Sequence, residues 1–396
     1  MQTTLKPITL LLASLWFTAV FAQENNDIVI GKKYSLHSNI LKEDRPYWVH
    51  LPKGYDSLNK EKKYPVLYVL DGDVYFQTTV GVVQFMGNGP LGHTQIPEFI
   101  IVSIPHFDRT KDLTPTKANK WVQGEDAVGL QTSGGAIGFL KFLNEELAPH
   151  IDLQYNTEKF KVLVGHSFGG LFSVYSLYSG SLFNAFIAMD PSFWWDDNFM
   201  INYVQSKIDE GMKFKGYLYM AVAHNEPTEV DTRNGRRVQE DLFSIIELSK
   251  GKNLKVKYEA FEELDHRSVY LQALYHGLLF VFEGYNLHPP YPADPNEVDI
   301  HFEKLSDDLG FSITSERALQ DIAGSFLYVK QFDKGIKYLS HYEHKYGLSG
   351  FTTFLLGQAY AGKKEMKKAI EYYKKAVELD PENTYFKMTL DKALED

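Results

Sequence analysis

Lys161-Val162-Leu163-Val164-Gly165-His166-Ser167-Phe168-Gly169-Gly170-Leu171 is the stretch on which the reading of this chain turns. Val162 to Val164 is an apolar, β-rich run, and Leu171-Phe172-Ser173-Val174-Tyr175 continues as an apolar helix. Between them stands G-x-S-x-G, as Gly165, Ser167 and Gly169. A strand that turns this sharply into a helix lifts the serine to a strained apex with Oγ exposed, and only glycine fits on either side without a Cβ clash. The bare pattern recurs by chance in Gly- and Ser-rich loops. The strand before it and the helix after it supply the context that a nucleophile requires.

Outward from this turn the same alternation repeats. Lys63 to Leu70, Pro97 to Ile104, Phe183 to Met189 and Gly216 to Ala223 are continuous apolar runs, as strands buried on both faces are. Val74 to Phe85, Arg237 to Lys250 and Val269 to Glu283 read as helices. So does Gly134 to Ile151, where Ile137, Leu140, Leu143 and Leu147 recur at helical spacing. Ile28 to Ile30, Tyr34 to Ser38 and Arg45 to Leu51 alternate like an antiparallel opening, and Leu254 to Ala260 like a closing edge strand. The order predicts an α/β fold: a mostly parallel, twisted sheet flanked by helices on both faces. The long loop from Pro105 to Gln131 carries Arg109, and loops of that length in compact domains are usually functional.

The chain has 396 residues, with 44% hydrophobic and 23% charged side chains, ordinary for a globular protein. A net charge of -10 without a long Lys/Arg block excludes nucleic acid as the expected partner, because phosphate binding needs a basic footprint. Lys6, the apolar Ile8 to Phe21 and Val20-Phe21-Ala22 compose a signal peptide over residues 1–22. Its apolar run is shorter than the ~20 residues of a membrane span. The expectation is therefore a periplasmic or secreted bacterial protein with no membrane span after cleavage. The chain has no cysteine, which excludes a thiolate nucleophile and Cys-ligated zinc. No HExxH, EF-hand or Walker pattern appears, so neither a metal nor another cofactor is expected.

The hydrolase-like part is expected over 23–285 and a Pro- and Asn-rich linker over 286–299. Residues 300–396 read as helical pairs. Leu356-Gly357, Tyr360, Ala369, Tyr373, Ala376 and Pro381 follow the tetratricopeptide spacing, with a fainter copy around Ala323-Gly324, Leu327, Phe332 and Tyr338. Two such pairs are fewer than the ~3 that stand alone, so they should pack on the preceding domain while presenting a surface to a protein partner.

Ser167 needs a base within hydrogen-bond reach, itself oriented by a carboxylate. In α/β-hydrolases the chain order is serine, acid, histidine. His266, in the loop after the last strand, is the expected base. For the acid, Glu226 follows the Gly216 to Ala223 strand and is preferred; Asp190, after the preceding strand, is the second candidate. His166 adjoins the serine, but neighbours on an elbow point apart, so it is a poor base. The oxyanion donors are expected at the amides of Phe168 and of Asp73 or Gly72. Trp194 and Trp195, at the carboxyl edge of the sheet, offer flat faces for an aryl or sugar group. Arg109 offers a charge for an anionic one.

Several strings together resemble one family. Leu70-Asp71-Gly72-Asp73, Asp108 to Thr116, Gly165 to Gly170, Asp190-Pro191-Ser192-Phe193-Trp194-Trp195 and Asp265-His266 are similar to the "Putative esterase" family, closest to its siderophore esterase branch. The resemblance spans about Asp27 to Tyr285 and implies an α/β-hydrolase that cleaves carboxylic esters through an acyl-enzyme. It implies Ser167 as nucleophile, His266 as base and the Asn225-Glu226 position as acid, although some siderophore esterases manage with a Ser/His pair. Siderophore esters and cell-wall or polysaccharide esters both fit as substrates. The competing expectation is a hydrolase-fold scaffold that has lost activity and recruits a protein through its repeats.

Overall fold

The computed structural model describes residues 27–88, 94–118, 129–224 and 235–395. The stretch expected to be a signal peptide, part of the long loop and the segment holding Glu226 lie outside the described residues. Eight strands form one sheet: β1 Lys32–Ser38, β2 Glu43–His50, β3 Tyr64–Leu70, β4 Ile100–Ile104, β5 Thr157–His166, β6 Ala185–Met189, β7 Gly216–Ala223 and β8 Leu254–Phe261. Their order is β1-β2-β4-β3-β5-β6-β7-β8. β2 alone runs against the rest, pairing antiparallel with both β1 and β4. From β4 to β8 every pairing is parallel, with Val66 opposite Ile100 and His166 opposite Met189.

Period-two alternation divides the strands between two cores. Val66, Tyr68, Leu70, Leu163, Phe186 and Met220 face one side. There they pack under α2 Arg109–Leu113, α3 Ala136–Phe142, α4 Ala148–Gln154, α5 Phe168–Tyr178, α6 Trp195–Asp209 and α7 Gly235–Ser249. Leu67, Val69, Val162, Val164, Ile187 and Tyr219 face the other, under α1 Gly72–Gly87 and α8 Tyr270–Val281. Residues buried on both faces are what produced the unbroken apolar runs of the central strands.

Three local expectations need correction. Ile28 to Ile30 forms no strand; Ile28 is 94% exposed and pairing begins only at Lys32. The helix expected from Gly134 to Ile151 is broken by a π-turn, Leu143–Leu147. Pro149, just after that turn, has no amide to give the helical ladder, and the widened turn absorbs the missing bond. The linker is also shorter than 286–299, because helix α9, Pro295–Leu309, starts inside it. Asp294 caps that helix by accepting from the Asn296 amide, and Pro295 suits the first turn.

The remaining helices are α10 Glu316–Tyr328, α11 Phe332–Tyr346, α12 Gly350–Gly362, α13 Met366–Leu379 and α14 Thr384–Glu395. α10 packs on α11 and α12 on α13, with α14 closing the stack. The second pair fits closely at Gly357, where a Cβ would stand 2.5 Å from the Tyr373 ring. Phe302, Leu305 and Leu309 of α9 join the α1/α8 core of the sheet, as do Leu319, Tyr338 and Leu356 beyond them. Helices α9 to α12 thus share a core with the sheet, while Phe354, Ala369, Tyr373, Ala376 and Phe386 of α12 to α14 form a cluster of their own. Among the described residues no helix is long and apolar enough to cross a membrane.

Candidate active site

Three tight turns stand at the carboxyl ends of neighbouring parallel strands, where an open α/β sheet gathers its ligands. Asp71 follows β3, Ser167 follows β5 and Asp190 follows β6. All three have positive φ, at 53°, 61° and 41°. Non-glycine residues hold that conformation only where the surroundings force it, and such strain collects at functional sites. At the elbow the forcing is steric. A Cβ on Gly165 would overlap the Gly169 carbonyl, so the helix can cross the strand this closely only over glycine. The turn is also tied down through its backbone. Ser167 N donates to Met189 O at 2.9 Å, and Ser192 N donates to Ser167 O at 3.2 Å.

Ser167 Oγ meets the hydroxyl of Ser192 at 3.1 Å. Ser192 is buried, and its importance was not visible in the sequence beyond its place in the Asp190 to Trp195 string. His266 lies in the loop after β8, its side chain 43% exposed, and its Nδ1 hydrogen-bonds Asp190 Oδ2. With Nδ1–H given to a carboxylate, Nε2 is left as the acceptor of the ring. Asp190 is 1% exposed. Its other oxygen accepts from Ala223 N at 3.2 Å and Gln239 Nε2 at 3.0 Å. Gln239 also donates to Pro191 O at 2.9 Å, bracing the turn. The preferred acid of the sequence reading, Glu226, lies outside the described residues. Among the described residues, the carboxylate that meets His266 is the second candidate, Asp190.

The turn after β3 is packed as tightly as the elbow. A Cβ on Gly72 would stand 2.6 Å from Ile104 N, so the chain there touches β4 backbone to backbone. Asp73 lies in the first turn of α1, and Phe168 is the first residue of α5. Amides at these positions have no partner within their own helix, and both helix dipoles are positive there.

Arg109, expected to face an anionic group, is engaged within the protein. It donates to Asp71 from Nε at 2.5 Å and from Nη2 at 3.0 Å, and to His166 O at 3.1 Å. Its charge is matched by Asp71, and it cross-braces the β3 turn to the elbow. α2, which carries Arg109, is anchored underneath by a buried cluster. Arg45 Nη2 donates to Asp112 Oδ2 at 2.5 Å, and His106 Nδ1 meets the same oxygen at 2.9 Å. Burial alone would raise the Asp112 carboxyl, but the His106 hydrogen bond and the Arg45 charge outweigh it and hold it below its usual range.

Trp195 is not a substrate platform. It is 1% exposed, its Nε1 donates to Thr116 Oγ1 at 3.0 Å, and its ring packs edge-on against Phe168 at 5.2 Å. Trp194, half-buried beside it, lies 5.9 Å from the same phenyl ring.

His166, dismissed as a base, does point away from the serine. It is buried on the α1/α8 side, with Nε2 bonded to His266 O at 2.6 Å and Nδ1 to Tyr75 OH at 2.9 Å. Burial, then the charge of His266, pushes its pKa down to about 4, against the His266 carbonyl bond and the charges of Asp190 and Asp71.

Strand order, elbow and a histidine–carboxylate pair at one sheet edge define an α/β-hydrolase. The chain belongs to the "Putative esterase" family, whose model matches residues 38–267, and a tetratricopeptide repeat model matches 354–383. It is a carboxylic ester hydrolase. It is 27% identical over 239 residues to the ferri-bacillibactin esterase BesA of Bacillus subtilis, covering 58% of this chain and 81% of that protein. To the siderophore enterobactin esterase of Emericella nidulans it is 25% identical over 253 residues, covering 56% and 82%. Among solved structures, an IroE-like serine hydrolase from Shewanella oneidensis superposes with TM-score 0.69 at 29% identity, over 79% of this chain and 99% of the other. An uncharacterised protein from Capnocytophaga ochracea shares the fold over 92% of this chain and 100% of its own, with TM-score 0.59 at 15% identity.

Proposed function

We propose that this protein is an exported serine esterase that hydrolyses siderophore esters. Ser167 is the nucleophile, His266 the base and Asp190 the acid. The observation that carries the reading is the His266 Nδ1–Asp190 Oδ2 hydrogen bond beside the strained Ser167 turn. The substrate class follows the relatives, two of which are named for siderophores.

In this reading Ser167 Oγ turns from Ser192 toward His266 Nε2, which takes its proton as Oγ attacks the ester carbonyl. Catalytic hydrogen bonds of this kind commonly tighten only once substrate is bound. Asp190 balances the imidazolium that forms and keeps the ring in the Nδ1–H tautomer. The tetrahedral oxyanion is held by the amides of Phe168 and Asp73, each at a helix N-terminus. His266 then gives its proton to the leaving alcohol, and water, activated by the same ring, releases the acid. Arg109 does no proton chemistry here. Its bonds to Asp71 and His166 O fix the spacing between the two oxyanion turns.

The test is a substrate panel on the purified protein: ferric and iron-free siderophore esters, methyl ferulate, acetylated polysaccharide and a p-nitrophenyl ester. The expected result is the highest kcat/KM on a siderophore ester, abolished in Ser167→Ala. Retained turnover in Ser167→Ala would remove the nucleophile. A preference for feruloyl or acetyl esters would move the substrate to the cell wall.

A further inference from the structure

We propose that His166 is a positioning residue: its imidazole fastens the main chain of the His266 loop to the elbow and, through Tyr75, to the oxyanion turn. Its catalytic consequence rests on the esterase reading above; the tether itself does not.

The argument begins with which nitrogen donates. A carbonyl oxygen can only accept, so the 2.6 Å bond to His266 O places the proton on His166 Nε2. Nδ1 is then an acceptor, and the Tyr75 hydroxyl at 2.9 Å donates to it. Both ring nitrogens are therefore committed, and the neutral ring satisfies both. Tyr75 belongs to the first turns of α1, directly after Asp73 and Val74. Its ring stacks on Tyr270 with centroids 3.7 Å apart and planes 3° from parallel. Tyr270 opens α8, four residues beyond His266, and its hydroxyl meets Thr79 Oγ1 of α1 at 2.8 Å. The contacts close a circuit from α1 through His166 to the His266 loop, along α8 and back to α1.

The loop needs such an anchor. Asp265 Oδ1 accepts from Arg267 N and Ser268 N at 2.9 Å and from Ser268 Oγ at 2.8 Å. These bonds fix the shape of the turn but not its place on the sheet. The bond from His224 N to Leu264 O at 2.7 Å holds the entry of the loop. At His266 itself Asp190 holds the ring, and His166 holds the backbone. A ring held at Nδ1 alone could swing about that bond and carry Nε2 away from Ser167. The two imidazoles lie close, with centroids 4.5 Å apart. Burial keeps His166 uncharged at neutral pH, so it sets no second positive charge against the imidazolium that forms on His266.

The experiment compares His166→Leu, which removes the donor, with His166→Gln, whose amide can still donate to the carbonyl. Two readouts are taken. The first is kcat and KM on p-nitrophenyl butyrate. The second is the rate of tryptic nicking after Arg267, an exposed residue of the tethered loop. In His166→Leu, kcat should fall about 30-fold with KM nearly unchanged, as small misplacements of a base do. Nicking should quicken by about tenfold as the loop opens more often. His166→Gln should recover most of both. A His166→Leu protein with wild-type kcat and nicking overturns the proposal. So does an equal loss in both variants, which would make the effect one of packing. Should the wild-type protein show no Ser167-dependent turnover, the esterase reading falls, and the nicking comparison still decides the tether.

Discussion

Acidification should expose His166 as a cost to the folded state. Unfolded, its imidazole takes a proton near the ordinary value of 6.5; folded, it resists until about 4. Between those values the unfolded chain binds the extra proton, so stability is whole above pH 6.5 and falls as the pH drops toward 4. At about 1.4 kcal/mol per pH unit, the gap amounts to a loss of about 3 kcal/mol by pH 4. Burial, then the charge of His266, sets the refusal against the pull of the His266 carbonyl bond. Tyr75 faces it from α1 and His266 from the base loop, while Asp190 and Asp71, whose charges favour protonation, do not overcome burial. The assay is urea unfolding of wild type and His166→Gln, followed by tryptophan fluorescence from pH 7 to pH 4. Both proteins share every other titrating group, so the difference between their pH slopes isolates this one. Wild type should lose about 3 kcal/mol more than the variant over that range. Parallel curves would refute the reasoning, because they would show that burial does not keep this imidazole neutral in the folded state.

Asp190→Asn should lower kcat on a p-nitrophenyl ester by about 10³–10⁴ with little change in KM, since the carboxylate that orients and balances His266 is gone. Glu226→Gln should leave kcat close to wild type; the reverse pattern would move the acid to Glu226. Asp112→Asn should cost about 2–3 kcal/mol of stability, because it removes the buried partner of the Arg45 guanidinium and leaves that charge to the part-exposed Glu43 carboxylate. A urea midpoint unchanged by that substitution would show that the Arg45–Asp112 pair does not anchor α2.

What could be read from the sequence was what leaves a local imprint. The elbow leaves one, because the crossing of α5 over β5 admits no Cβ at Gly165 and writes itself as glycine. The central strands leave one, because burial on both faces removes polar residues from whole runs such as Tyr64–Leu70. The choice between Asp190 and Glu226 leaves none. β6 and β7 are parallel neighbours that end at one edge, so a carboxylate after either strand satisfies the same chain order. What sets Asp190 toward His266 is a positive-φ turn braced by Gln239 from α7, a residue 49 positions away. Trp195 is the same case in reverse. Its sequence position at the sheet edge is compatible with a cleft or a core, and the Thr116 hydroxyl, 79 positions back, decides for the core. His166 shows how a correct local rule can still miss a role. Neighbours on an elbow do point apart, which excludes it as the base. The same divergence aims its ring at a main-chain carbonyl 100 residues away, on the loop that carries the proposed base.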